Sequence, residues 1–150
     1  MKYVIPGVPV SQGRPRSIIR GGKIIVFNPD AKEMNIARNF VKCTQIQNDY
    51  QTFGENEPLA VGIVFEMQIP ESWSKKKKLE CVGKEHFSKP DIDNLQKFAQ
   101  DVLNGIAYHD DSQISSIQCK KIYSETPQTT IYIYSRCQAY ERFSDGKMFC

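Results

Sequence analysis

Apolar and polar positions change their period several times along this chain, and each change marks an element. Residues 2 to 10 place Tyr3, Val4, Ile5, Val8 and Val10 in a β-strand interrupted by Pro6 and Pro9, a pattern suited to an edge strand or a bend. Two β-rich runs, Arg16 to Ile19 and Lys23 to Phe27, flank Gly21-Gly22 and predict a hairpin. Asn28-Pro29 reads as a helix start, with Asn as N-cap and Pro at the first helical position. The helix runs to about Asn48, with Met34, Ala37, Val41 and Ile46 on its inner face.

Beyond a turn at Gly54 to Pro58, Leu59 to Ile69 predicts a central strand that stops at Pro70-Glu71-Ser72-Trp73. Ser74 caps a short helix carrying Lys75, Lys76, Lys77 and Lys78, and Trp73 anchors that helix to the sheet. Cys81 to Lys89 has no periodicity and predicts a mobile loop. A second long helix, capped by Asp91 or Asp93, turns Leu95, Phe98, Val102 and Leu103 inward and closes at Asn104-Gly105. Strands over Ile114 to Tyr123 and Thr129 to Tyr134, joined around Pro127, finish the domain; residues 136–150 form a tail of mixed character. The order predicts one α+β domain over residues 1–135, a mixed, mostly antiparallel β-sheet with two main α-helices packed on it.

At 150 residues the chain suits one core, and no apolar run is long enough to span a bilayer. The first residues lack the charged and apolar regions of a signal peptide. Five scattered cysteines without a CxxC argue against a disulfide framework or a zinc ribbon and fit a reducing cytoplasm. Net charge is only +3, but its distribution is uneven. Lys2, Arg14, Arg16, Arg20 and Lys23 stand together without an acid, and Lys75 to Lys78 form a second basic run. An acidic centre between two basic patches suits a protein that grips a polyanion and holds a metal at its middle.

That centre is Lys89-Pro90-Asp91-Ile92-Asp93-Asn94-Leu95-Gln96-Lys97, with Asp110-Asp111 after the helix. Carboxylates this dense repel one another unless a cation lies between them. Mg²⁺ takes oxygen ligands and keeps positions open for water and phosphate. Asp91 and Asp93 can converge around an N-cap, where free N–H groups also favour anions. Asp93 and Lys97, four residues apart, share a helix face. Asp110 and Asp111 can fold back toward the site, with one of them as a ligand. Taken singly, the same residues read as helix caps, a surface ion pair of Lys97 with Asp101, and a turn. An EF-hand fails because Leu95 and Gln96 stand where it needs an oxygen ligand and Gly. Zinc held by Cys81, His86 and His109 lacks the usual spacing. His109 as a general base is a further alternative.

Together, Gly7-Val8-Pro9, Arg14-Pro15-Arg16, Ser72-Trp73-Ser74-Lys75-Lys76-Lys77-Lys78, the segment from Lys89 to Lys97, and Asn104 to Gln113 resemble the RusA-type Holliday junction resolvases of phages and prophages. The resemblance implies a homodimeric, Mg²⁺-dependent endonuclease, with Mn²⁺ a possible substitute, that introduces paired nicks in four-way DNA junctions in the bacterial cytoplasm. It implies metal binding by Asp91, Asp93 and Asp111, with Asp110 beside them, and a catalytic Lys97. DNA contacts fall to Gln12, Gly13, Arg14, Arg16 and Lys89; by charge patterning, Lys75 to Lys78 read either as a solvated helix face or as a further phosphate-tracking patch. The segment before Asp91 has Lys89 where some members are arginine-rich. The alternatives are a nuclease for other branched DNA and a junction-binding protein that does not cleave.

Overall fold

The computed structural model describes residues 1–135; the predicted tail, 136–150, lies outside the described residues. In chain order the elements are β1 (Lys2–Pro6), β2 (Arg16–Arg20), β3 (Lys23–Phe27), α1 (Ala31–Gln47), β4 (Leu59–Gln68), α2 (Lys75–Cys81), α3 (Ile92–Leu103), a 3-10 turn (Asp111–Gln113), β5 (Ile114–Ser124) and β6 (Gln128–Ser135).

The main sheet has the order β1-β6-β4-β5. β1 and β4 run antiparallel to β6, whereas β4 and β5 are parallel. Parallel neighbours need a crossover, and α2 and α3 supply it. On β4 the odd positions Leu59, Val61, Ile63, Phe65 and Met67 enter the core with Tyr3, Ile131 and Ile133 of the flanking strands. Against them α1 sets Ala37 and Val41, and α3 sets Leu95, Phe98, Ala99, Val102 and Leu103. β4 reads as a continuous apolar run because both its faces are buried, the second carrying the small or short Ala60, Gly62 and Val64.

Several sequence expectations shift. β1 ends at Pro6, because Gly7 turns with φ 98° and donates its N–H to Pro127. α1 is capped by Asp30 rather than Asn28, and Asn28 instead accepts from the Asp30 N–H at 3.2 Å. Ile46 is 81% exposed: five residues beyond Val41 it has rotated off the inner face, and Gln45 turns inward to bond the Ile106 carbonyl. The stretch after α2 is tied rather than loose. Gly83, Lys84 and His86 exchange main-chain hydrogen bonds with Tyr123 and Lys121, so this segment covers the exposed edge of β5. Trp73 packs at that place, 5.4 Å ring to ring from Tyr123, with the Lys77 ammonium over its indole.

β2 and β3 form a separate two-stranded sheet turning at Gly21-Gly22, both in the left-handed region as this tight hairpin requires. Alternation gives it two unlike faces. Ile19 and Ile24, cross-strand partners, lie beside Val26 on a strongly exposed apolar face. Arg16, Arg20 and Lys23 share the other face with Ile18, Ile25 and Phe27.

Candidate active site

Asp91 is the N-cap of α3, in extended conformation, and its carboxylate makes no capping hydrogen bond to the helix. Its neighbour is the exposed Lys89, whose Nζ lies 3.7 Å from Asp91 Oδ2. Asp93 stands in the first turn, exposed, and no hydrogen bond or ion pair engages its side chain among the described residues. The apolar face of α3 is pinned to the sheet by Leu95, Phe98 and Val102, which forces Asp93 and Lys97 onto the solvent side. Lys97 forms no salt bridge within the described residues. Asp101, its predicted partner, accepts instead from Gln12 Nε2 at 2.6 Å.

Two clefts flank this helix start. One, of about 520 Å³, is lined by Gln12, Gly13, Arg14 and Pro15 on one side and Asp91, Asp93, Asn94 and Lys97 on the other. The second, about 700 Å³, runs along Glu85 to Lys89, Asp91 to Asp93, and Cys119 to Lys121. Asp91 and Asp93 therefore form a ridge open to solvent on both sides. The loop of the first cleft is firmly held: the Gln12 N–H donates to the Asn94 carbonyl at 3.0 Å, and the Gly13 N–H to the Asp30 carboxylate. A Cβ at Gly13 would meet Asp30 Oδ2 and Pro29 Cγ at 2.9 Å each, so any larger residue would push the Asp30 carboxylate or the Pro29 ring aside.

Asp110 and Asp111 stand elsewhere. Their side chains line neither cleft, and no group of three His, Cys, Asp or Glu able to hold a metal occurs among the described residues. Two lengths set the separation. The 12 residues of α3 extend about 18 Å at 1.5 Å per residue. Along β5, Ile114 to Lys121 covers about 23 Å at some 3.3 Å per residue. Lys121 adjoins Asp91, since its Nζ bonds the Pro90 carbonyl at 2.7 Å, whereas Asp111 precedes Ile114 at the opposite end. Asp110 closes a capping box, accepting from the Ser112 N–H at 2.9 Å. Hydrogen bonding from Ser112 holds its carboxyl below the usual value. The buried Tyr108 phenol is raised above its ordinary value, first by burial and then by Asp111, Asp101 and Asp110.

Of the other predicted residues, Arg14 lines the first cleft, Arg16 opens β2, and Lys89 lines the second. Lys75 to Lys78 lie on α2 and line neither cleft. His109 faces Glu55 at 3.9 Å, away from Asp91. Sequence reasoning missed Lys121; the signal was its place two residues beyond Cys119 on the inward period of β5, where a lysine needs partners.

A family model described as endodeoxyribonuclease RusA matches residues 6–134. The chain belongs to the RusA family of endodeoxyribonucleases. It is 33% identical over 137 residues to the protein named uncharacterized protein YqaN of Bacillus subtilis (strain 168), covering 89% of this chain and 94% of that one. It is 36% identical over 84 residues to the crossover junction endodeoxyribonuclease rusA of Lactococcus phage r1t, covering 55% of this chain and 59% of the phage protein. No helix among the described residues is long and apolar enough to cross a membrane.

Proposed function

We propose that this RusA-family nuclease is a Mg²⁺-dependent, structure-selective endodeoxyribonuclease, active as a homodimer, that resolves four-way junctions by paired symmetric nicks in recombination and repair. One observation carries the reading: the Gln12–Pro15 loop and the Asp91, Asp93, Lys97 face of α3 line one open cleft. The printed name of the phage relative, a crossover junction endodeoxyribonuclease, supports the substrate class.

The donor set fits a hard cation. Two exposed carboxylates supply oxygen ligands and leave room for water and a phosphate oxygen, the mode Mg²⁺ prefers, and Mn²⁺ can replace it. A divalent ion held by Asp91 and Asp93 would supply Lewis-acid chemistry, activating water and offsetting charge on the phosphate. Asp91 and Asp93 hold it and orient the scissile phosphate. Lys97, one turn on, places its ammonium against the charge that develops on that phosphate. The free N–H groups at the start of α3 add a positive field. Arg14 and Arg16 grip the backbone bidentately, with Gln12 and Gly13 shaping the loop and Lys89 beside Asp91. Lys75, Lys76 and Lys78 extend the basic track, while Lys77 is engaged by Trp73.

A junction needs two symmetric cuts, and a two-fold dimer brings two identical sites. The apolar face of Ile19, Ile24 and Val26 supports dimerisation, because a lone hairpin does not otherwise sustain such exposure in water. In such a dimer Asp111 meets the Asp91–Asp93 pair of a second copy, and Asp110 anchors the turn presenting it.

The test is cleavage of a synthetic four-way junction and a linear duplex, with and without Mg²⁺. Symmetric nicks in the junction alone, and only with the metal, are expected. Equal cutting of the duplex overturns structure selectivity; binding without cutting favours a junction-binding protein.

A further inference from the structure

We infer that Lys121 is a positioning residue that aims Asp91, a role resting on the proposed nuclease reading. Its ammonium donates to the Ser88 carbonyl at 2.8 Å and the Pro90 carbonyl at 2.7 Å. These two carbonyls bracket Lys89-Pro90, the last turn of chain before Asp91. Around them the same strand holds the same segment: the His86 N–H donates to the Lys121 carbonyl at 3.0 Å, and Tyr123 bonds both Gly83 and Lys84.

The need for such a clamp follows from the geometry of Asp91. Its carboxylate is not fixed by a bond to the helix, and its one ion pair among the described residues is with the exposed Lys89. Two like charges near one helix start drive their carboxylates apart in the absence of a cation. What sets the direction of Asp91 is therefore the backbone entering it. That backbone is irregular and Ser88 and Lys89 line an open cleft, where water competes for main-chain carbonyls. A charged donor holds carbonyls more strongly than a neutral one does. Lys121 occupies the inward period of β5 with Cys119, which is why a strand built into the main sheet, rather than a loop, carries the clamp. With two of its three donors on carbonyls, Lys121 acts through Asp91 and not on the phosphate.

The experiment compares wild type, Lys121→Met and Lys121→Arg in three measurements: junction cleavage against Mg²⁺ concentration, Mn²⁺ binding by calorimetry, and the salt dependence of junction binding. Lys121→Met is expected to lower kcat about tenfold or more and weaken Mn²⁺ several-fold, with KM for the junction nearly unchanged. Lys121→Arg, which keeps the donors, restores much of both. The salt slope stays as in wild type, because no phosphate contact is lost. Cleavage and Mn²⁺ affinity equal to wild type in Lys121→Met, at a temperature where it is folded, overturn the inference. So does a salt slope lowered by about one, the mark of a direct phosphate contact. If wild type binds Mn²⁺ but cuts nothing, the nuclease reading fails, while the Mn²⁺ titrations of the variants still judge the clamp.

Discussion

Gln12 donates its side-chain amide to the Asp101 carboxylate at 2.6 Å, while its main-chain N–H bonds Asn94 two helical turns earlier. The loop opposite the acidic ridge is thereby fastened along α3 rather than suspended above it. Gln12→Ala should keep the fold, since this bond lies at the rim of the core. It should lower junction affinity several-fold and cleavage at least as much, because Arg14 and Arg16 lose their fixed reach. Filter binding and single-turnover cleavage check this; unchanged values in both would show that the main-chain bond to Asn94 and the Gly13–Asp30 contact hold the loop without the Asp101 bond.

Asp111 offers a sharper outcome. The lengths of α3 and β5 put it about 20 Å from Asp91 within one copy, so in the proposed dimer it would serve the site of the second copy. Asp93→Asn and Asp111→Asn are each expected to lose cleavage. Mixed and reassembled, they should regain nicking at one of the two sites in a fraction of dimers. Absence of any recovery in verified mixed dimers would mean that Asp111 serves its own copy.

The hairpin supplies the prediction for assembly. Ile24→Asp places a charge at the centre of the exposed apolar face, beside its partner Ile19. Sedimentation should shift from dimer to monomer without loss of helical circular dichroism, and paired nicking should fall to isolated single nicks. A variant that stays dimeric would move the interface to another surface.

Burial raises the Cys119 thiol to about 12 and, with the nearby Tyr50, the Tyr3 phenol to about 12. Both groups are neutral when folded, and their unfolded counterparts ionise first as pH rises. Stability is thus fully present below about pH 9 and declines between 9 and 12. Thermal melts across that window should show Tm falling, and Cys119→Ala should flatten the decline. The same burial predicts slow alkylation of Cys119 and Cys81 beside rapid alkylation of the exposed Cys43.

Much of this was legible in the chain. The period of α3 put Leu95, Phe98 and Val102 inside, and that alone forces Asp93 and Lys97 outward into the cleft. Gly21-Gly22 specified the hairpin turn, and Ser74 the start of α2 through its bond from the Lys77 N–H. Less accessible was everything decided by long-range pairing. Nothing local says that β5 joins β4 in parallel, and that pairing is what carries Asp111 away from Asp91. Nothing local marks Asp30 as the partner of a distant loop, yet its carboxylate accepts from the Gly13 N–H. The stretch after Cys81 lacked periodicity because its order comes from the edge of β5 and not from its own side chains.

The central claim, that Asp91 and Asp93 jointly hold a divalent cation shared with DNA, is tested most directly by calorimetric titration of Mn²⁺ into the protein bound to an uncleavable junction. The account predicts saturable binding that is lost in Asp93→Asn while junction affinity is retained or increased. Equal Mn²⁺ binding by wild type and Asp93→Asn would contradict it.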